Sequence, residues 1–462
     1  MPELPEVETI VRYLNANLAN KQIKNIRLFR EKNILTGADE FIKSLIGESF
    51  LSVSRRAKYL IFHLTNDKVI VSHLRMEGKY FINSTSEETK KHDLLIYDFT
   101  DGTSLTYNDV RKFGTIELWN ESDYLSSPSL SSLGEEPFSF KSDVFYQKLQ
   151  EHKKTPIKEA LLDQKLIVGV GNIYASEILY ATNVNPRTLC CNINENEANK
   201  ILKETQRILL EAIKEGGSTI RSYHPQEGVS GNMQNSLKVY GKENEKCPKC
   251  GNPIRRIFMG GRSTYYCPVC QKEEGQGIII GITGPIAAGK STVTSYLKNK
   301  GYIVLDADKL AHESYSDKEV KKKLLNAFPT VFKKGNIDRK KLLAIVSKNP
   351  DKMELLNSMI HPYVFKKTKE GIEQNKGKNI LIDMPLLLGS PYENECDYII
   401  GVNAPLDTRK KRLEERGVNV EMALKLNSSF PLAKLKKSST IYIETTGSLE
   451  ELQNKLKSYK FL

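Results

Sequence analysis

Residues 278–291 read Ile278-Ile279-Ile280-Gly281-Ile282-Thr283-Gly284-Pro285-Ile286-Ala287-Ala288-Gly289-Lys290-Ser291. The run, β-branched except at Gly281, predicts a strand buried on both faces, the kind found in parallel sheets. A glycine-rich turn and a helical stretch follow it. Residues 284–291 therefore fit G-x4-G-K-[ST] in the strand–turn–helix context this pattern requires. Backbone N–H groups of such a turn cradle phosphates. Gly284, Ala287, Ala288, Gly289, Lys290, Ser291 and Thr292 are the expected ATP contacts. Lys290 would neutralise the β/γ oxygens and Ser291 would hold Mg²⁺. The turn alone leaves the phosphoryl acceptor open.

The same pattern runs to the end of the chain. Apolar strands at 302–305, 379–382 and 398–402 alternate with helical stretches, which predicts an α/β domain with a mostly parallel sheet. Asp306-Ala307-Asp308 closes the second strand. Carboxylates there face the ligand crevice of an open sheet, where one could deprotonate an acceptor hydroxyl; a helix N-cap pair accounts for the spacing equally well. Arg409, Lys410, Lys411, Arg412 and Arg416 fall on one helix, as a solvated basic face or as a lid closing on phosphates.

Upstream the pattern changes. Residues 272–277 form a short polar linker that spans about 20 Å at most. Before it stand Cys247-x2-Cys250 and Cys267-x2-Cys270, with sixteen residues between the pairs. Four thiolates in two knuckles are a ligand set for tetrahedral zinc, so one structural Zn²⁺ is expected. Seven cysteines in 462 residues are too few for a disulfide scaffold, and a reduced, cytoplasmic protein is expected. Residues 246–272 hold six Lys or Arg and no acidic residue, which suits either a phosphate-backbone contact or a solvated basic loop.

Residues 22–120 read as short strands, such as 69–74 and 94–99, bounded by Asn-Asp and Asp-Gly turns. Residues 141–215 turn helical, with Ile201, Leu202, Ile208, Leu209 and Ile213 in one stripe that Gly216-Gly217 ends. Within 165–180, the break Gly169-Val170-Gly171-Asn172 restarts a helix, as an ordinary turn or as a helix N-terminus with free N–H groups for a phosphate. The start, Pro2-Glu3-Leu4-Pro5-Glu6-Val7-Glu8-Thr9, leads into a helix. Removal of Met1 is expected before so small a residue. It would leave a secondary amine able to attack a sugar C1′, beside Glu3 and Glu6 for acid–base work.

The length of 462 residues allows two to four domains, and 39% hydrophobic with 27% charged residues is globular composition. No apolar run reaches the roughly 18 residues of a membrane span, and neither a membrane nor a secretion signal is expected. The net charge of +13 makes an anionic partner the prior expectation. That excess is uneven: residues 1–276 hold 37 basic and 35 acidic residues, and residues 277–462 hold 32 and 21.

Residues 1 to about 273 resemble a bacterial formamidopyrimidine-DNA glycosylase. The resemblance rests on the opening Met-Pro-Glu-Leu-Pro-Glu-Val-Glu-Thr, Arg56-Ala57-Lys58-Tyr59-Leu60, and His73-Leu74-Arg75-Met76-Glu77-Gly78. It continues in Asp109-Val110-Arg111-Lys112-Phe113-Gly114, residues 168–177, and Arg262-Ser263-Thr264-Tyr265-Tyr266-Cys267. It implies a lesion-removing glycosylase and AP lyase acting on oxidised purines (formamidopyrimidine, 8-oxoguanine) in double-stranded DNA. Pro2 would form a Schiff base with C1′ and Glu3 would donate a proton. Lys58 would serve β-elimination, and Arg262 would serve δ-elimination. His92, Lys154, Lys158 and Asn172 would hold the backbone. Met76, Arg111 and Phe113 would fill the gap left by the flipped base. Residues 222–234 are where the family closes over that base. The endonuclease VIII branch, which prefers oxidised pyrimidines, is the alternative; Leu4 and Arg111-Lys112-Phe113 favour the purine branch.

Residues 277 to about 460 resemble dephospho-CoA kinase, through the phosphate-binding turn, Asp306-Ala307-Asp308, His361-Pro362, Asp383-Met384-Pro385-Leu386-Leu387 and Arg412-x3-Arg416. The resemblance implies ATP-dependent phosphorylation of the ribose 3′-hydroxyl of dephospho-CoA. Asp308 would be the base, with Arg412 and Arg416 on the transferring phosphoryl group. Pro285 and Ala287 replace glycines usual in this family, His312 and Lys425 stand at arginine positions, and Gly389 stands where a Glu often follows Pro-Leu-Leu. A different or weakened nucleoside or nucleotide kinase is the competing reading. The expected chain is thus a multidomain monomer: a β-sandwich (1–130), a helix-two-turn-helix domain (131–244), a zinc finger (245–272) and an α/β P-loop kinase domain with a parallel sheet (277–462).

Overall fold

The computed structural model describes residues 1–218, 232–272, 277–333, 336–428, 430–446 and 449–457. Most of the segment 222–234 and of the linker 272–277 thus lie outside the described residues. The chain forms two compact units, Met1–Lys242 with Met259–Tyr266, and Glu243–Phe258 with Cys267–Leu462.

The first unit opens with α1 (Leu4–Leu18), whose Pro5 sits in the first turn, where a missing N–H costs no helical bond. Then come β1 (Ile23–Leu28), α2 (Ala38–Leu45), β2 (Phe50–Arg56), β3 (Tyr59–Leu64), β4 (Lys68–His73), β5 (Lys79–Ser84), β6 (Asp93–Phe99), β7 (Thr103–Asn108) and β8 (Thr115–Asn120). They make two four-stranded sheets, ordered β1-β6-β7-β5 and β2-β3-β4-β8. The sheets share a core that includes Phe50, Phe62, Tyr80, Tyr97, Phe99 and Tyr107, and the Phe50 ring meets Phe62, Tyr97 and Phe99 edge-on at 5.8 Å. In β3, Leu60 and Phe62 enter this core, while Ile61 joins Val69, Val71 and Leu130 on the opposite face. Both faces are covered, which is why these strands read as apolar runs rather than alternating ones.

Helices α3 (Ser142–Glu151), α4 (Ile157–Leu162), α5 (Asn172–Thr182), α6 (Glu195–Lys214) and α7 (Met233–Ser236) follow. Asn194 and Glu197 close α6 in a reciprocal capping box at 2.9 Å each way. At its far end Gly217 N–H reaches Ala212 C=O at 2.8 Å, in the left-handed backbone (φ +80°) that the glycine pair allows. α1 straddles two cores. Leu4 belongs to the helical one, with Ile157, Tyr174 and Ile178, whereas Val7, Ile10, Leu14 and Leu18 belong to the sandwich. The start of the chain therefore lies where the two layers meet.

The chain continues through β9 (Arg255–Met259) and β10 (Arg262–Tyr266). The second unit then builds β11 (Ile279–Thr283), α8 (Lys290–Asn299), β12 (Ile303–Asp306), α9 (Ala307–Ser314) and α10 (Lys318–Ala327). After these come β13 (Phe332–Lys333), β14 (Asn336–Ile337), α11 (Arg339–Val346), α12 (Pro350–Gln374), β15 (Ile380–Asp383) and β16 (Tyr398–Asn403). It ends with α13 (Leu406–Glu415), α14 (Val420–Leu426), α15 (Leu432–Ser438), β17 (Ile441–Glu444) and α16 (Leu449–Lys457). Strands β12-β15-β11-β16-β17 form one sheet, and all its pairings are parallel. Separate apolar clusters cover its two faces, with Ile280 and Ile282 in one and Ile380 and Ile382 in the other. β17 has no counterpart in the sequence reading. Among the described residues, no helix is long and apolar enough to cross a membrane.

Ile400 is fully buried in β16, paired with Ile282 of the central strand. Ile400→Ala is expected to destabilise the second unit by about 2–5 kcal/mol, read as a lowered midpoint in thermal denaturation.

Candidate active sites

The first site forms where the chain start meets the N-terminus of α5. That helix has Gly171 at its N-cap position and so no capping side chain of its own. Glu3 supplies one. Its carboxylate accepts from Gly171 N–H (2.7 Å), Ile173 N–H (2.9 Å) and Tyr174 N–H (3.4 Å). The free N–H groups expected at this helix start are thus taken by protein, which corrects the reading of them as an open phosphate cradle. The close approach needs glycine: a Cβ on Gly171 would lie 2.3 Å from Glu3 Cδ. Burial pushes the Glu3 carboxyl above its usual range; nearby Lys58 and the backbone donors act against this, while Glu6 adds to it. Glu6 itself is engaged. It accepts from Glu3 N–H (2.7 Å), Tyr174 Oη (2.7 Å) and Ser218 N–H (2.7 Å). It braces the site, a role its sequence position did not signal.

Lys58, 5% exposed in the turn between β2 and β3, donates to Val170 C=O at 2.8 Å, in the break before α5. Burial pulls its pKa down to about 8; Glu3 opposes that and Arg262 adds to it. The Met1 amine is also lowered by burial, with Glu3 and Glu6 opposing and Lys58 adding. Pro2, Glu3 and Lys58 are therefore brought together. Arg262 is exposed at the start of β10. Lys158 is 1% exposed, and its ammonium reaches Asn172 Oδ1 (2.7 Å), Thr264 Oγ1 (2.7 Å) and Ser263 C=O (3.1 Å). Three acceptors match its three protons. Burial nonetheless lowers it to about 7, countered by Glu3 and reinforced by Arg262. Asn172 Nδ2 donates to Ser263 C=O at 2.9 Å. Lys158 and Asn172 thus tie α4 and α5 to β10, while Lys154 is exposed on the turn after α3.

Two loops project apolar side chains. Met76 is 41% and Phe113 57% exposed, and the Arg111 guanidinium lies 5.1 Å above the Phe113 ring. The second loop is held from inside by Asp109, which is fully buried. Its carboxylate accepts from the N–H groups of Arg111 (3.0 Å), Phe113 (2.9 Å) and Gly114 (2.9 Å). His92 C=O accepts from Asp109 N–H at 3.1 Å, linking His92 to the same loop. A charged residue inside an otherwise exposed motif was the available signal for Asp109.

Cys247, Cys250, Cys267 and Cys270 converge with all four sulfurs within 4.8 Å of one another. Cys247 Sγ lies 3.7 Å from Cys270 Sγ, and Cys250 Sγ 3.5 Å from Cys267 Sγ. A zinc tetrahedron with 2.3 Å bonds has edges of about 3.8 Å, so the four thiolates fit structural zinc.

In the second unit, α8 begins at Lys290, directly after the turn that leaves β11. Ala287 there adopts left-handed backbone (φ +60°), the conformation glycine takes most readily; for a non-glycine residue this costs roughly 1–2 kcal/mol. Side chains from beyond β16 hold the turn in place. Asn427 Oδ1 accepts from Ile286 N–H at 2.9 Å, Arg409 Nε donates to Ile286 C=O at 2.9 Å, and Arg412 Nη1 donates to Ala287 C=O at 3.1 Å. Arg409, nearly buried, thus turns inward, unlike the solvated face of the sequence reading, because a backbone carbonyl of the turn lies within its reach; Arg412 bonds the same turn from the rim of the cavity described next. Lys290 Nζ rests on Gly284 C=O at 2.8 Å, its pKa lowered by burial, with Asp383 and Asp308 nearby as opposing charges.

Gly289, Thr292, Arg412, Arg416 and Thr445 line a cavity of about 490 Å³. A second cavity, about 740 Å³, is lined by Asp308, His361, Phe365, Met384 and Pro385 among others. Asp306 serves as N-cap of α9, accepting from Lys309 N–H at 3.0 Å, which leaves Asp308 to the cavity. Burial raises the Asp308 carboxyl, Asp306 adds to this, and Lys290 opposes it. Asp383, given no role from sequence, ends β15 and accepts from Thr294 Oγ1 of α8 at 2.7 Å. His312 pairs with Arg339 at 2.7 Å, Gly389 N–H donates to Glu393, and Lys425 is exposed.

Comparison with known proteins divides the chain in the same order. Residues 1–116 match the formamidopyrimidine-DNA glycosylase N-terminal domain, 133–224 its H2TH domain, and 244–272 the zinc finger found in FPG and IleRS. Residues 278–451 match dephospho-CoA kinase. The chain is 43% identical over 273 residues to the formamidopyrimidine-DNA glycosylase of Ligilactobacillus salivarius, covering 59% of this chain and 99% of that protein. It is 44% identical over 276 residues to that of an Exiguobacterium species, covering 59% of this chain and 100% of that protein. Among solved structures, the complex of Lactococcus lactis Fpg with DNA containing an abasic site aligns with a TM-score of 0.56 at 41% identity, over 59% of this chain and 100% of that one. The chain belongs to the formamidopyrimidine-DNA glycosylase family and is a DNA glycosylase fused to a dephospho-CoA kinase.

Proposed function

We propose that the glycosylase half removes oxidised purines from duplex DNA through Pro2, and that the observation carrying this is the junction of Pro2, Glu3 and Lys58 at the α5 N-terminus. With Met1 removed, the Pro2 amine attacks C1′, the damaged base leaves, and an iminium joins protein to sugar. Glu3, its carboxyl raised by burial, supplies a proton to the opening sugar. Lys58, lowered to about 8, takes the proton whose loss breaks the 3′ C–O bond. Arg262, exposed beside these groups, grips the phosphate and serves the second elimination. Lys158 and Asn172 act by positioning β10 rather than by touching DNA, while Lys154 and His92 contact the backbone. Met76, Arg111 and Phe113 fill the vacated stack. Lactococcus lactis Fpg has been solved both with an N7-benzyl-Fapy-dG and with an oxidised pyrimidine in its DNA, so pyrimidine lesions remain the second reading.

In the kinase half, ATP occupies the 490 Å³ cavity and the phosphate turn, with Arg412 and Arg416 at its phosphates. Ser291 and Asp383 would hold Mg²⁺, which screens the β/γ oxygens when bound. Dephospho-CoA takes the 740 Å³ cavity, its ribose 3′-hydroxyl facing Asp308 as base.

Pro2→Glu, which removes the secondary amine and retains Met1, is expected to abolish borohydride trapping on lesion DNA; a persistent adduct would place the nucleophile elsewhere. Lys58 must be neutral to accept a proton, so cleavage of a preformed abasic site should climb as pH rises through about 8. That limb should vanish in Lys58→Gln, and single-turnover rates across pH 6.5–9.5 are the check. Asp308→Asn should lower kcat for dephospho-CoA by about 10²–10⁴ with ATP binding retained, measured by coupled assay and calorimetry.

A further inference from the structure

The zinc segment and the parallel sheet share one compact unit, and the zinc segment's hydrogen bonds reach residues 393–396, just past Ser390 and Pro391, which line the 740 Å³ cavity. Arg255, at the start of β9, is only 4% exposed. Its Nη2 donates to Glu393 C=O at 3.2 Å and its Nε reaches Cys396 C=O at 3.5 Å. Phe258 N–H donates to Asn394 Oδ1 at 3.2 Å. Val269, between the zinc ligands Cys267 and Cys270, packs against the cluster of Ile278, Ile280 and Tyr398. The gripped residues follow directly on part of the cavity lining: Ser390 and Pro391 line the cavity, and Asp397 N–H bonds Ile279 C=O at 2.7 Å on the way into β16. Tyr392 Oη donates to the C=O of Phe365, itself a lining residue. A buried guanidinium needs acceptors, and two of them here are backbone carbonyls of the segment that follows Ser390 and Pro391, so arginine and segment hold each other in place.

We propose that the zinc segment is a buttress of the acceptor cavity, with Arg255 and Phe258 as positioning residues that hold 393–396 and, through that segment, the lining residues Ser390 and Pro391. The buttress links the metal knuckles of the repair enzyme to the kinase's acceptor site. The part about dephospho-CoA rests on the cavity assignment made above.

The test uses full-length Arg255→Met, which keeps the apolar stem and removes the donors, with zinc content measured alongside. Amides of 391–397 should exchange with deuterium roughly ten-fold faster than in the parent, and KM for dephospho-CoA should rise roughly five-fold while KM for ATP holds. If Arg255→Met does not fold, Asn394→Ala, which removes the acceptor of the Phe258 N–H, is read in the same way. Unchanged exchange at 391–397 overturns the buttress. Faster exchange with unchanged KM upholds the buttress and overturns the assignment of the cavity to dephospho-CoA.

Discussion

One carboxylate organises the repair site. Helix α5 begins at a glycine and would leave backbone donors unpaired in the interior, a cost of a few kcal/mol. Glu3 takes three of them, and the adjoining backbone closes the joint, with Leu4 N–H on Gly169 C=O at 3.0 Å. Because α1 carries Leu4 into the helical core and Val7 onward into the sandwich core, this cap fixes the chain start between the two layers. Lys58, Lys158 and Arg262 then gather around a single buried acid, and the two lysines, desolvated and facing a like charge, fall to about 8 and 7. Folding thus places a desolvated amine and a buried acid next to each other.

The kinase half solves a different problem. Its phosphate turn lacks two of the glycines that relax such turns, and Ala287 is held in left-handed backbone. Arg409, Arg412 and Asn427 bond the backbone of Ile286 and Ala287 from outside, so rigidity comes from tertiary hydrogen bonds rather than from glycine. The overall charge follows the same division. A net +13 suggests a DNA-binding chain, yet residues 1–276 are nearly balanced and the excess lies in residues 277–462. Positive charge in the repair half works locally, at Lys58, Lys158 and Arg262.

Much of this was readable because certain chemistry demands certain residues at certain spacings. Paired Cys-x2-Cys knuckles and a P-loop after an apolar strand admit few alternatives, and the long stripe of α6 gives its own period. Other residues were silent for a physical reason. Glu6, Asp109 and Arg409 act through backbone N–H or C=O groups, so nothing in the partner's side chain announces them. Lys158 shows the converse: a lysine in a DNA-binding chain suggests a phosphate contact, but its three protons face three internal acceptors.

Local order was thus determined by the sequence alone. Apolar period, turn glycines and ligand spacing are properties of neighbours in the chain, and they dictate short strands, helices, zinc knuckles and a strand–helix alternation in their order. The distances that make a site were decided only by the tertiary structure. Glu3 meets Gly171, Arg255 meets Glu393 and Arg409 meets Ile286 across more than a hundred residues of chain. The burial that shifts Glu3, Lys58 and Asp308 exists only once two packed layers exclude water around them.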